Sequence, residues 1–425
     1  MKLTATEKLK QLFDDNEVNF MDELINENTG ECVVIGYGTV EGIPVWAFSQ
    51  NISEKSGSFG AAHGKKIRKV FENAIKTGTP VVGIYDSFGG AVTEGVQTLE
   101  AYGELIKSAN RLSGIAPYIS VISGSCAGCA TVAAMTSDFI IMNKEAELFL
   151  NPKAVFKGEA AEKAGLVQLL SEDDSDALDK TRELLSRLPI NNLSGLPAYE
   201  DTCKESFGNN VLENVFDDDS ILYLNEGFGE EVQCGFALIN GESCAFVNAV
   251  GELDADCCEK ILKTVSFCDS FNIPLVTFID SNEFAGEGAD IIKKSAKLAG
   301  AYAEASNVKV SVITGKAYGA VYVALAGKSS NSDEVFALED SYIGVLNPET
   351  AVALMCGDKI NKDKTREEVE KEYKQDFDAQ AALKGGYIDA VVTSENMRNK
   401  IYAALEVFAG KRVDSLPKKH SNILM

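Results

Sequence analysis

The chain has 425 residues, 45% hydrophobic and 24% charged, with 64 acidic against 40 basic side chains and a net charge of −24. This is globular rather than disordered composition, and the length allows roughly two to four domains. The acidic excess excludes a nucleic-acid surface, which needs a basic footprint. No apolar run reaches the ~18 residues of a membrane span, and the N-terminus lacks the apolar segment of a secretory signal, so a cytoplasmic protein is expected.

In chain order, a hairpin is expected first, over residues 32–37 and 45–49, then a helix over about 61–77. A buried strand at 80–85 closes on Asp86-Ser87, and a helix over 98–112 leads to a third strand at 119–123. That strand is expected to end in the Gly-rich turn Gly124-Ser-Cys-Ala-Gly128-Cys129, which opens a small-residue helix. The stretch 171–230, acidic at Glu172-Asp-Asp and Asp217-Asp-Asp, lacks sustained periodicity and reads as a linker. The same order then returns: a hairpin at 234–239 and 243–248, a helix at 254–271, a strand at 275–279 closed by Asp280-Ser281, a helix at 290–305, and a strand at 310–314 before Gly315-Lys-Ala-Tyr-Gly319-Ala320.

The landmarks are matched pairs. Asp86-Ser87 pairs with Asp280-Ser281, Ile119-Ser-Val-Ile-Ser-Gly124 with Val310-Ser-Val-Ile-Thr-Gly315, and Asn151-Pro152 with Asn347-Pro348. A spacing of about 190 to 200 residues implies duplicated domains rather than a solenoid. Alternation of strand and helix implies an α/β class with largely parallel sheets. The expected division is residues 1–190, a linker at 191–230, and residues 231–425.

Each Gly-rich turn joins a buried strand to a helix, where unpaired N–H groups and the dipole face outward. Glycine lets a ligand approach that backbone, so the turn suits an anion or a developing oxyanion. The plainer reading is tight helix–sheet packing, but two equivalent turns suit a reaction with two carbonyl-like partners. Other motifs are weaker. Cys126 sits as in a nucleophile elbow, but the two histidines, His63 and His420, occupy no partner motif. Cys126-Ala-Gly-Cys129 has no second pair to make a zinc site, and the ten cysteines form no disulfide framework. The run Lys65, Lys66, Arg68, Lys69 reads as a solvated helix face.

Gly36-Tyr-Gly-Thr-Val, Ala47-Phe-Ser-Gln, Gly124-x-Cys-Ala-Gly, Phe267-Cys-Asp-x-Phe-Asn-Ile-Pro274, Lys316-Ala-Tyr-Gly and Pro417-Lys-Lys-His420 resemble the carboxyltransferase subunits of biotin-dependent acyl-CoA carboxylases and decarboxylases. The resemblance runs from about Glu31 to the C-terminus. It implies two tandem crotonase-like domains in a homo-oligomer, hexameric in the family, with active sites between the N-domain of one subunit and the C-domain of another. It implies transfer of a carboxyl group between carboxybiotin on a separate biotin carboxyl carrier protein and a short-chain acyl-CoA, such as acetyl-, propionyl- or methylmalonyl-CoA, with no metal. Gly128 and Cys129 would then face the thioester, and Gly319 and Ala320 the biotin. Gly89, Gly90, Ala127, Tyr318 and Val321 would flank and bind these groups, and the biotin oxyanion would serve as the base. The further partner would be a biotin carboxylase or a membrane decarboxylase subunit.

The chain departs from the family where Cys129 replaces a second glycine, where Ser87-Phe-Gly-Gly-Ala91 lacks a following arginine, and at Asp280-Ser-Asn-Glu-Phe-Ala-Gly286, which lacks a Pro-Gly pair. Two alternatives stand beside transfer: a non-catalytic scaffold paired with an active paralogue, and a crotonase-type hydrolase or isomerase with Glu94 or Glu283 as base.

Overall fold

The computed structural model describes residues 3–24, 29–200, 204, 208, 210–356, 360 and 364–413. His420 and the motif from Pro417 lie outside these. The chain forms two compact units: residues 1–197 with 224–228, and residues 198–223 with 229–425.

The first unit begins with α1 (Ala5–Leu12), capped by Thr4 and Glu7 in a reciprocal capping box. Then follow β1 (Asn19–Met21), β2 (Val33–Val40), β3 (Ile43–Gln50), α2 (Ala61–Thr77), β4 (Val81–Ser87), α3 (Val96–Leu112), β5 (Tyr118–Ala127) and α4 (Cys129–Ala134). The unit continues with β6 (Phe139–Asn143), β7 (Glu147–Phe149), β8 (Phe156–Lys157), α5 (Gly158–Lys163), β9 (Leu169–Ser171) and α6 (Asp174–Arg187). The sheet order is β1-β2-β3-β4-β5-β6-β9, with β7 against β5 and β8. The hairpin β2–β3 is antiparallel, and β3-β4-β5-β6-β9 are parallel. Every residue of β4 is buried, as expected of a strand covered on both faces. Helices α2 and α3 present Ile67, Val70, Phe71 and Ala74, and Ala101, Leu105, Ala109 and Leu112, to a core that includes Phe48, Tyr85 and Ile122. Both sets follow helical spacing.

The second unit contains α7 (Val211–Val215), β10 (Leu222–Leu224), β11 (Val232–Ile239), β12 (Glu242–Leu253), α8 (Ala255–Ser270), β13 (Leu275–Phe284), α9 (Ala289–Glu304), β14 (Lys309–Tyr318) and α10 (Gly319–Val321). A π-helical turn over Tyr322–Ala326 follows, and then β15 (Glu334–Leu338), β16 (Tyr342–Gly344), α11 (Pro348–Met355), α12 (Arg366–Gln375), α13 (Ala379–Lys384), β17 (Ala390–Val392) and α14 (Met397–Phe408). Its sheet runs β10-β11-β12-β13-β14-β15-β17 with β16 against β14. The path from β11 onward reproduces that from β2 onward, so the duplication seen in the sequence is a duplication of topology.

Two expectations are corrected. The third strand of each unit does not stop before the glycine-rich segment. Ser125–Ala127 continue β5 and pair with β7, and Lys316–Tyr318 continue β14 and pair with β16. A register shift between Tyr85 and Ser87, and another between Ile279 and Ser281, lets each strand change neighbours and run on. The turns proper are therefore Gly128 and Gly319. Nor is the stretch from residue 171 devoid of helix. Asp173 caps α6 by accepting the Asp176 N–H, so the acidic run is a helix start, and Ala177, Leu178, Thr181, Leu184 and Leu185 form its buried stripe. Asp217, in the second acidic run, is buried. It accepts N–H bonds from Asn240 and Gly241 at the β11–β12 turn and pairs with Arg398 of α14 at 2.5 Å.

Candidate active site

In the first unit, β5 ends at Ala127 and α4 begins at Cys129, with Gly128 between them at φ +60°. This conformation favours glycine. The Gly128 N–H donates to the Phe149 carbonyl at 2.8 Å, and the Thr131 hydroxyl bonds the carbonyls of both Phe149 and Cys126. Gly128 therefore shapes the turn with its backbone but has no free N–H to offer. Cys129 and Ala130 are the first two residues of α4, so their amides have no intrahelical acceptor. Cys129 is exposed and Ala130 buried.

The loop after β4 lies alongside. A Cβ on Gly89 would stand 3.8 Å from the Ala127 carbonyl. Buried groups hold this loop from behind. The Ser87 hydroxyl donates to the Gly57 carbonyl and accepts the Gly89 N–H. The Asp86 N–H donates to the Gln50 side-chain oxygen, and the Gln50 amide reaches His63 Nε2 at 3.4 Å. His63 Nδ1 is 3.1 Å from the Ser58 carbonyl, which assigns the proton to Nδ1 and makes Nε2 the acceptor. Burial pushes the His63 pKa down to about 3, so it is neutral. Lys8 Nζ of α1 lies 3.6 Å from both Asp86 and Asp174, all three being buried. Asp174 also accepts from Ser123 and Asn143.

In the second unit the corresponding turn is Gly319, at φ +46°. Gly319, Ala320 and Val321 form the short helix α10, at the N-terminal end of which N–H groups lack intrahelical acceptors. A π turn follows at once, closed by Gly327 N–H to the Tyr322 carbonyl, a departure common at functional sites. Gly319 and Ala320 open onto a cavity of about 930 Å³ that Asp280, Lys316, Tyr318, Asp340, Asn347 and Glu349 also line. Burial, then the charges of Asp280 and Glu349, push the Tyr318 pKa upward. A smaller, apolar cavity of about 450 Å³ meets it at Gly319 and Val345, and is lined by Val323, Phe377 and Tyr387.

The competing motifs resolve. Cys126 is buried and its thiol is pushed up to about 12, so it packs rather than attacks. Glu94 is no base: its carboxylate accepts from the Ala61 N–H at 2.7 Å and from Thr29, capping α2. Glu283 lines the larger cavity. In the basic run, Lys66 is buried against the Val33 carbonyl, Arg68 pairs with Glu72 and Glu104, and Lys69 with Asp22. Sequence reasoning gave no role to Lys8, Gln50 or Asp280. The recurrence of Asp86 as Asp280 is the signal that points to the last of these.

Residues 2–423 match the family model of the carboxyl transferase domain. The chain is 32% identical to the methylmalonyl-CoA decarboxylase subunit alpha of Veillonella parvula, with 99% of the chain and 93% of that protein covered. It is 33% identical to the propionyl-CoA carboxylase beta chain of Saccharopolyspora erythraea, covering 99% and 90%. Its structure superposes on the crystal structure of the transcarboxylase 12S hexamer with methylmalonyl-coenzyme A bound, at a TM-score of 0.93 and 30% identity over 99% of this chain and 92% of that one. The chain thus belongs to the carboxyl transferase domain family, and its duplicated units have the family's crotonase-like fold.

Proposed function

We propose that the protein is the carboxyltransferase subunit of a biotin-dependent acyl-CoA carboxylase or decarboxylase. It moves a carboxyl group between biotin on a separate carrier protein and a short-chain acyl-CoA, such as acetyl-, propionyl- or methylmalonyl-CoA. The observation that carries this reading is the pair of matched turns, Gly128 and Gly319, each at positive φ between a parallel strand and the N-terminal end of a helix, where N–H groups lack intrahelical acceptors. Carrier-bound biotin would supply the carboxyl group and a ureido carbonyl that gains negative charge as that group leaves. The amides of Gly319 and Ala320, between Tyr318 and Val321, fit that oxygen, at the edge of a cavity roomy enough for a bicyclic ring. The Cys129 amide receives the thioester oxygen, with Gly89, Gly90 and Ala127 shaping the approach. Fixed donors aimed at developing charge typically contribute about 10²–10³ in rate each.

The working partners are a biotin carboxyl carrier protein and either a biotin carboxylase or a membrane decarboxylase subunit, in the cytoplasm. Among the described residues no helix is long and apolar enough to cross a membrane, in keeping with a separate membrane partner. A homo-oligomer, as in the hexameric 12S relative, fits the exposed apolar stripe Val92, Val96 and Leu99, which are 92%, 70% and 58% exposed.

The test incubates purified protein with biotin and malonyl- or methylmalonyl-CoA. Biotin-dependent decarboxylation is expected, and Gly319→Val, which forces a side chain into a left-handed φ, abolishes it. No turnover across a panel of such thioesters, with biotinylated carrier present, overturns the reading. An active homo-oligomer excludes a non-catalytic scaffold.

A further inference from the structure

The duplication places one aspartate at the same point in both units, and the two are used differently. Asp86, the penultimate residue of β4, is 1% exposed, with Lys8 3.6 Å from its carboxylate. Asp280, its counterpart on β13, is partly exposed and lines the cavity that also holds Tyr318, Gly319 and Ala320. One of its oxygens, Oδ1, accepts the Lys316 N–H at 2.9 Å. A Cβ on Gly315 would lie 2.3 Å from Oδ1 and 2.8 Å from Oδ2, so the carboxylate rests directly on that glycine. Glycine at 315 is thereby required, and the carboxylate is fixed rather than swinging on a surface. Its N-terminal duplicate is turned away into the interior.

This contrast follows the chemistry of the two ligands. A thioester carries no N–H, so a carboxylate beside it has nothing to accept and repels the charge growing on its oxygen. A cyclic urea differs: its carbonyl and the adjacent ring N–H lie side by side on one edge. A wall that presents backbone donors and a carboxylate acceptor together reads both groups. We propose that Asp280 accepts a hydrogen bond from the ring N–H of the biotin ureido group, on the nitrogen that does not carry the carboxyl. It thereby turns the carbonyl toward the Gly319 and Ala320 amides. The inference rests on the carboxyltransferase reading and deepens it, since it gives the second unit a specificity for ureas over thioesters. The bond is charge-assisted and so among the stronger kind.

The experiment is saturation-transfer NMR on the full chain with two probes, biotin and biotin methylated on that second ring nitrogen. Wild type is expected to bind the methylated probe about tenfold or more weaker than biotin, the size of a lost charged hydrogen bond. Asp280→Asn keeps the Lys316 contact but removes the charge. It is expected to weaken biotin by a similar factor and to narrow the difference between the probes. Gly315→Ala displaces the carboxylate without deleting it and is expected to act alike. Thermal stabilisation by coenzyme A, which reports on the first unit, is unchanged in both variants and shows that they are folded. Equal binding of the two probes by wild type, or unaltered biotin binding by Asp280→Asn, overturns the role of Asp280. If that occurs while biotin-dependent decarboxylation persists, the transferase reading stands and this inference alone fails. A wild type that neither binds biotin nor turns over sinks both.

Discussion

The two units share strand order, paired serines and a left-handed glycine at the turn, yet they treat their turns differently. Ser87 donates to the Gly57 carbonyl and Ser281 to the Gly251 carbonyl, each at 2.7 Å, so the ends of β4 and β13 are pinned alike. In the first unit, Gly128 gives its N–H to Phe149 and the loop before it is braced by Lys8, Gln50 and His63. In the second, Gly319 opens α10, a π turn follows, and the matching aspartate opens to a cavity. The frame of strand, left-handed glycine and helix is common to both units, while the groups around it differ.

The strongest way to break this comparison is to remove a single amide from each turn. Proline is tolerated in the first turn of a helix, where it removes an N–H that has no partner. Cys129→Pro and Ala320→Pro are each expected to lower kcat for biotin-dependent decarboxylation by about 10²–10³. A variant that keeps full kcat would remove its turn from the reaction. The bracing difference is tested by stability. Lys8→Met leaves two buried carboxylates without their cation and should cost about 3–5 kcal/mol in urea denaturation. Asp280→Asn, whose site faces a cavity, should shift stability by only about 0.5 kcal/mol. Equal effects would erase the asymmetry.

His63 sharpens the comparison through pH. Its folded pKa, about 3, lies below its ordinary value of 6.5. As pH falls below about 6.5 the unfolded chain takes up a proton that the folded chain does not, so stability is lost progressively down to about 3. His63→Gln should flatten this part of the stability–pH curve, measured by urea midpoints between pH 7.5 and 5; an unchanged slope would show that His63 does not carry it. The smallest effect expected is at the Cys129 side chain. Cys129→Gly should leave kcat intact and shift KM for acyl-CoA less than about tenfold, the scale on which small groups in a pocket discriminate. A collapse of kcat would mean that the thiol itself takes part.

Much of the fold is legible along the chain. The helix expected at 61–77 coincides with α2, because its apolar spacing and the following glycine mark both its face and its end. The strands at 81 and 275 show as apolar runs closed by Asp-Ser. The continuation of β5 and β14 past the first glycine of each motif does not show, since a local rule treats glycine as a break. Only the neighbouring strands β7 and β16 supply the partners that extend them. The acidic run at 172–174 misleads for a related reason: its charge suggests a loop, whereas its role as a helix cap depends on the stripe that α6 buries.

The sequence alone determined the duplication, the α/β class, the position of both glycine turns and the family, because repeats, apolar periodicity and glycine spacing are written along the chain. Tertiary structure alone decided that the Gly128 N–H is tied to Phe149, and that Asp86 turns inward to Lys8 while Asp280 meets a cavity. Those outcomes depend on partners far apart along the chain, as Lys8 is from Asp86 and Asp174. A local pattern fixes where a backbone turns, and long-range packing fixes what that turn has left to offer.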